Sequence, residues 1–371
     1  MKIIIAHASA GAGHFKAAEA LSEQFRRDYP DIEIKLIDAL DYTSPFFKNS
    51  YLKGYSFMVN YASWLWSLSF YLTTFKPTRW FINGLHFFIN SLNTAKLRSF
   101  LIRENPDYIV STHFLPAQVA AYLKEKKQIN SRLLTVITDF GIHQFWLAKG
   151  TDIYAVASDF SRQLLVREGI AENKIKVTGI PVDNKFLFSF DRGALSGKLG
   201  LDKNKFTVLL VTGSFGIGPL EQIVDYLHND AQLIVVCARN KKLYQRLNQK
   251  NYPGLKVFGF VDNIQELMAC SDVIITKPGG LTVSEVLVME LPPLFISAIP
   301  GQETVNAQFL VKEGIANTIA NIKDTRIIIR GYKDNPQKLD AIKEAIRCIK
   351  KPHAAGDICH ALCSGSSGPS G

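Results

Sequence analysis

Apolar residues in this chain fall in short continuous runs, not in long one-sided stripes. The first series reads "KIIIAH", "IEIKLIDA", "DYIVSTH", "LLTVITD", "IYAVAS" and "IKVTGIPV". A second series reads "FTVLLVTGS", "AQLIVVCA", "LKVFGFV", "DVIITKPGG" and "PLFIS". Helical patterns separate the runs. Short β-branched runs with little alternation predict strands covered on both faces, as in the parallel sheets of βαβ units. The chain is therefore expected to be α/β, with two Rossmann-like domains. The first spans residues 1–182. A charged, glycine-containing linker, 183–204, holds "DRGALSGKLGLDKNK". The second domain spans 205–345. A last helical stretch, 346–363, follows it and is expected to pack back on the first domain. The tail "SGSSGPSG", from Ser364, reads as an appended linker outside the fold.

At 371 residues the chain has room for two cores, and 47% hydrophobic with 20% charged residues suits a globular protein. The five cysteines, at 237, 270, 348, 359 and 363, show no metal-ligand or redox spacing. A reduced, cytosolic chain is the simpler expectation. The first apolar run, about five residues, is short for the core of a signal peptide.

Charge changes the picture. The formal net charge is +10, which invites an anionic partner. Between Tyr42 and Arg103 there is no Asp or Glu, while Lys48, Lys53, Lys76, Arg79, Lys96, Arg98 and Arg103 are all basic. Inside this segment Gly54–Phe75 is uncharged and aromatic. Asn60, four serines and two threonines argue against a spanning helix. An element lying on an anionic membrane surface fits better, with an aromatic insertion packed on the sheet as the plainer alternative. Trp64, Trp66 and Trp80 suit an acyl-chain groove, an interfacial anchor or core packing, and His86 suits a core. Basic residues clustered around an aromatic run do not form a nucleic-acid footprint.

Three loops carry candidate chemistry. "HASAGAGHFKAAEAL" is a turn and helix start after the first strand. It lacks the lysine of a triphosphate loop and a clear acidic ribose partner. His14 at its end is either a base or a histidine bonded to backbone near a helix start. In "VLLVTGSFGIGPLEQIV", Gly213, Ser214, Gly216 and Gly218 let backbone amides approach an anion. In "SDVIITKPGGLTVSEVLVMELPPLFI", Gly279 and Gly280 precede a helix that carries Thr282, Ser284 and, in its first turn, Glu285. Glu285 could hold a ribose diol or simply favour the helix dipole. "AIPGQETVNAQFLVKEGIA" brings Gln302, Glu303 and Asn306 past a strand end, where open α/β sheets bind ligands. Asp139 and His143 lie four apart with Trp146 beyond. A zinc site there would need further ligands, for which only scattered residues such as His113 are on offer, so no metal is expected.

The order of glycine loop, "FGFVDNIQELMACSDVIITKPGG", helix acid and "PGQE" with Asn306 resembles the donor domain of family-28 glycosyltransferases, GT-B enzymes that use UDP-sugars. "ASAGAGHFKAAEAL", "STHF" and "VITDFGIHQFW" resemble the monogalactosyl- and glucosyl-diacylglycerol synthase branch of that family. The resemblance covers residues 1–360. One departure is the first loop, Gly-Ala-Gly-His where the branch has three glycines and His; Ala12 then needs a φ that alanine adopts. The resemblance implies two Rossmann-like domains facing a cleft. It implies a diphosphate held by Gly213, Ser214, Gly279, Gly280 and Thr282, and uracil met by Phe260 and Val261. Glu285 would hold the ribose, and Gln302, Glu303 and Asn306 the hexose hydroxyls. His14 would take the acceptor's proton, with Asp139 orienting or deprotonating the acceptor. The UDP-sugar is a substrate, and no cofactor is implied.

The expected activity is inverting transfer of glucose or galactose from a UDP-sugar to diacylglycerol, peripherally at the cytoplasmic face of a membrane. The alternatives are transfer to another lipid-linked acceptor such as a peptidoglycan precursor, a UDP-sugar epimerase with no acceptor, and a membrane-surface protein without activity.

Overall fold

The computed structural model describes residues 1–9, 11–61, 90, 92–296, 298 and 301–363, without the side chains of 55–61. Over these residues two parallel six-stranded sheets form. The first contains β1 (Lys2–His7), β2 (Glu33–Asp38), β3 (Tyr108–Ser111), β4 (Arg132–Val136), β5 (Ile153–Val156) and β6 (Ile175–Val177), in the order β2-β1-β3-β4-β5-β6. The second contains β7 (Thr207–Val211), β8 (Gln232–Val236), β9 (Leu255–Phe258), β10 (Val273–Thr276), β11 (Pro293–Phe295) and β12 (Asn317–Thr318), in the order β12-β11-β10-β7-β8-β9.

In the first sheet, helices α1 (Ala12–Asp28), α2 (Pro45–Tyr61), α3 (Ala95–Glu104) and α4 (Phe114–Glu125) flank the first strands. Strand alternation assigns the faces. Ile3 and Ile5 share a core with Leu21 and Phe25 of α1 and with Ile358 and Leu362 of the last helix, Ala354–Cys363. Ile4 and Ala6 face the other way, against Leu97 and Leu101 of α3 and Ala120 and Leu123 of α4. Ile3, Ile4 and Ile5 are wholly buried. Each contributes about 1.5–3 kcal/mol relative to exposure.

The chain divides into two compact units. The first holds Met1–Asp183, the described residues 301–305, and 351–363; the second holds Asn184–Ala298 and Asn306–Lys350. The stretch 183–204 differs from a free linker. Asp191 caps a helix, Arg192–Leu199, by accepting from the backbone of Gly193 and Ala194. Arg192 then grips Asp272 through two bonds of 2.7 and 2.8 Å, and Asp272 also accepts from Thr207 N at 2.8 Å. A bidentate pair in this position fastens the segment to the starts of β7 and β10.

Each sheet has one point where strand order reverses, and ligands of open α/β sheets bind beyond the strand ends there. In the first sheet that point lies between β1 and β3, and in the second between β7 and β10. Among the described residues no helix is long and apolar enough to cross a membrane. Most of Gly54–Phe75, and Lys76, Arg79, Trp64, Trp66, Trp80 and His86, lie outside the described residues.

Candidate active site

The loop after β1 delivers His14 to the first switch point. Its left-handed residue is Gly11, at φ 103°, and Ala12 begins α1, so alanine there meets no strain. Asp38, at the end of β2, holds the loop. Its carboxylate accepts from the Ser9 hydroxyl, from Ser9 N at 3.3 Å and from Leu40 N at 3.0 Å.

The His14 ring reaches the end of β3. Nδ1 lies 2.9 Å from the Thr112 carbonyl oxygen and 2.8 Å from the Thr138 hydroxyl. A carbonyl only accepts, so Nδ1 carries the proton and donates. Nε2 is therefore the bare nitrogen, the one able to take a proton. Thr112 answers with its hydroxyl, which donates to the His14 carbonyl at 2.8 Å. The reading as a histidine bonded to backbone is the one seen here, and that bond leaves Nε2 as the nitrogen able to accept a proton. Burial pushes the imidazole down to about 4, against the weaker upward pull of the Thr112 carbonyl. His7, at the end of β1, is also lowered by burial, although Asp38 and Asp41 pull it up.

The neighbouring strand ends complete the surroundings. His113 follows β3 and caps α4, its Nδ1 accepting from Leu115 N at 3.1 Å. His143 caps the turn Gln144–Trp146 in the same way, accepting from Phe145 N at 3.2 Å. Asp139 is buried directly after Thr138, and Trp146 is fully buried, its ring centre 6.1 Å from that of His14. Among the described residues no group of three or more His, Cys, Asp or Glu side chains could hold a metal ion. Thr112 and Thr138 are not singled out in the sequence, and His113 enters there only as a scattered metal-ligand candidate. The available signal was that histidines follow β1, β3 and β4, which are neighbours in the sheet.

In the second unit the two glycine loops flank the second switch point. Gly213, with Ser214 beside it, follows β7 at φ 74°, and no heavy atom lies within 4 Å of where its Cβ would stand. Pro278-Gly279-Gly280 follows β10, with Gly279 in extended conformation at the head of the helix Gly280–Val288. That helix has no acid in its first turn, and Glu285 falls in the second. This corrects the first-turn position read from sequence. It also weakens the dipole explanation, because that effect fades within one turn. Thr282 and Glu285 are partly buried, Val261 is half-buried and Phe260 is 61% exposed after β9. Gln302 and Glu303 begin the helix Gln302–Lys312, half-buried, and belong to the first unit, whereas the helix from Asn306 on belongs to the second. Asn306 differs from a hydroxyl-reading side chain: it is fully buried and donates to the Pro278 carbonyl at 3.0 Å, which holds the Gly-Gly loop in place.

Residues 14–182 match the monogalactosyldiacylglycerol (MGDG) synthase family, and residues 207–354 match the glycosyltransferase family 28 C-terminal domain. Over 375 residues the chain is 30% identical to a processive diacylglycerol beta-glucosyltransferase of Bacillus cereus strain G9842, covering 97% of this chain and 93% of that one. The chain belongs to the diacylglycerol glycosyltransferase branch of family 28. It is a glycosyltransferase with the GT-B fold. Solved structures at low identity share that fold. MurG of Acinetobacter baumannii superposes with a TM-score of 0.60 at 14% identity, over 98% of this chain and 99% of that one. The UDP-GlcNAc 2-epimerase of Neisseria meningitidis, bound to UDP-GlcNAc, gives 0.63 at 13% identity, over 98% and 100%. Fold alone thus leaves transferase and epimerase equal, and full-length membership of the diacylglycerol branch separates them. His14 is the first residue of the part of the chain that carries the MGDG synthase match, and the glycine loops lie in the family-28 part.

Proposed function

We propose that this glycosyltransferase transfers glucose from UDP-glucose to diacylglycerol at a membrane surface, with inversion at the anomeric carbon. The observation that carries the reading is the His14 imidazole, held by Thr112 with Nε2 bare at the switch point of the synthase-like domain. The beta product in the name of the Bacillus relative supports inversion, because the sugar of UDP-glucose is alpha-linked.

In this reading the acceptor hydroxyl oxygen bonds to the anomeric carbon. The bond from that carbon to the phosphate oxygen breaks, and its electron pair leaves with UDP. The acceptor proton passes to His14 Nε2. Gly213, Ser214, Gly279, Gly280 and Thr282 offer donors to the diphosphate, where negative charge grows as the bond breaks. Phe260 and Val261 meet the uracil, Glu285 the ribose diol, and Gln302 and Glu303 the hexose hydroxyls. Asn306 acts one step back, through the Pro278 carbonyl. Asp139 orients the acceptor. The donor is a substrate, and the chemistry needs no cofactor.

Membrane contact is supported by side chains at both ends of the acid-free segment. Phe46 is 82% exposed two residues before Lys48, and Leu92 is 66% exposed four residues before Lys96. Apolar side chains entering the interface beside lysines suit an anionic leaflet, here taken as the cytoplasmic one.

The test is to incubate the protein with UDP-glucose labelled in the sugar and vesicles of diacylglycerol with anionic phospholipid, then extract the lipid. Label in the organic phase that β-glucosidase releases is the expected result. Label confined to water as unchanged UDP-glucose would sink the acceptor assignment. Label in an altered nucleotide sugar would make the protein an epimerase. Parallel runs with UDP-galactose decide the hexose.

A further inference from the structure

The histidine that caps α4 stands against the candidate base. His14 and His113 meet edge to face, ring centres 4.7 Å apart at 87°. The carbonyl that fixes His14 is that of Thr112, so the peptide bond holding the base is the one that leads into His113. His113 cannot easily turn. Its Nδ1 is occupied by Leu115 N, its carbonyl accepts from the Ser111 hydroxyl at 2.6 Å, and it is 2% exposed. Phe114 lies against its ring at 4.1 Å between centres, with Tyr51 of α2 and Trp146 both at 6.4 Å.

The two rings also carry complementary protons. His113 accepts at Nδ1, so its own proton sits on Nε2. His14 donates at Nδ1, so its Nε2 is bare. We propose that His113 is a positioning residue for the transfer reaction, clamping the His14 ring in the orientation and tautomer that leave Nε2 free to accept the acceptor's proton. This rests on the reading of His14 as the base. Among the described residues, His7 on β1 and His113 at the head of α4 face that ring, and Asp139 follows Thr138 in the chain.

The informative variant is His113→Asn. The amide oxygen of asparagine can take the place of Nδ1 and cap α4, while the ring against His14 is lost. The first measurement needs no substrate: nitrogen-15 shifts of histidine-labelled protein near neutral pH, with the His14 signals assigned by their loss in His14→Gln. The wild type is expected to show His14 protonated on Nδ1 and bare on Nε2, and His113→Asn to show a mixture of tautomers. Kinetically, His113→Asn is expected to keep the KM for UDP-glucose, with a melting temperature lower by a few degrees for the lost ring packing. Its kcat should fall about tenfold or more, and its acid limb should move up towards the ordinary histidine value of 6.5.

A folded His113→Asn protein with unchanged kcat, acid limb and His14 shifts would reduce His113 to a helix cap and overturn the proposal. So would a wild-type His14 protonated on Nε2, which is decisive even where the variant fails to fold. If the shifts come out as expected but no lipid is glycosylated, the clamp stands and the acceptor assignment falls.

Discussion

Among single residues, His14 sets the expected response to pH. An imidazole pushed down to about 4 by burial stays neutral wherever the enzyme would work. A base must be unprotonated to act, so activity is retained as pH falls from neutrality and is lost only as the proton binds. The acid limb of kcat/KM, which reports the free enzyme, is expected near 4 and well below 6.5. His14→Gln is expected to lower kcat by about 10²–10⁴-fold and to abolish that limb. A limb at the ordinary histidine value, or one that survives in His14→Gln, would assign the base to another group. His14 could be singled out as a candidate because a histidine at the mouth of a helix after a buried strand is an unusual choice, while its role as a base is what the family resemblance implies. Its partners could not. Thr112 and Thr138 lie 98 and 124 residues away, and nothing in a threonine after a strand says which histidine it will meet.

At the scale of elements, the strand–loop–helix units were legible because buried parallel strands write themselves as unbroken apolar runs. Which loops would be neighbours was not, since sheet order is a tertiary choice; only the reversal between β7 and β10 brings the two glycine loops to one edge. Nor did the chain announce that Asn306 would reach back to Pro278, or that Arg192 and Asp272 would fasten the stretch expected as a linker. The first glycine loop offers a paired test. Gly213 and Gly216 both have positive φ, but a Cβ on Gly216 would lie 2.1 Å from the Cys237 carbonyl oxygen, while one on Gly213 would meet nothing within 4 Å. Gly216→Ala therefore combines backbone strain of about 1–2 kcal/mol with a clash, and a melting temperature lower by several degrees is expected. Gly213→Ala carries the strain alone, yet it fills space left for a ligand. It is expected to lose about 1–2 kcal/mol of stability and to weaken UDP binding by about tenfold or more, read by titration calorimetry. Normal UDP affinity in a folded Gly213→Ala would remove this loop from the donor site.

For the whole molecule the informative quantity is where the charge sits. The chain carries +10 in total, and seven basic residues with no acid fall between Tyr42 and Arg103. A general surplus would repel the molecule from itself and attract any polyanion. A surplus concentrated in one segment, with Phe46 and Leu92 exposed at its described ends, gives binding two separable parts. The electrostatic part is about 1 kcal/mol per basic residue near an anionic surface, and salt removes it as the Debye length falls from about 10 Å at 0.1 M to about 3 Å at 1 M. The apolar part is insensitive to salt or strengthened by it. Sedimentation with vesicles rich in phosphatidylserine should therefore show binding that weakens steeply as salt rises and then levels off. Lys48→Glu with Lys53→Glu should flatten the steep part and leave the plateau, while Phe46→Ser should lower the plateau and leave the slope. Uncharged vesicles should retain only the plateau. Binding that ignores both salt and lipid charge would mean that the basic residues are a solvated face, and membrane contact would then rest on apolar side chains alone.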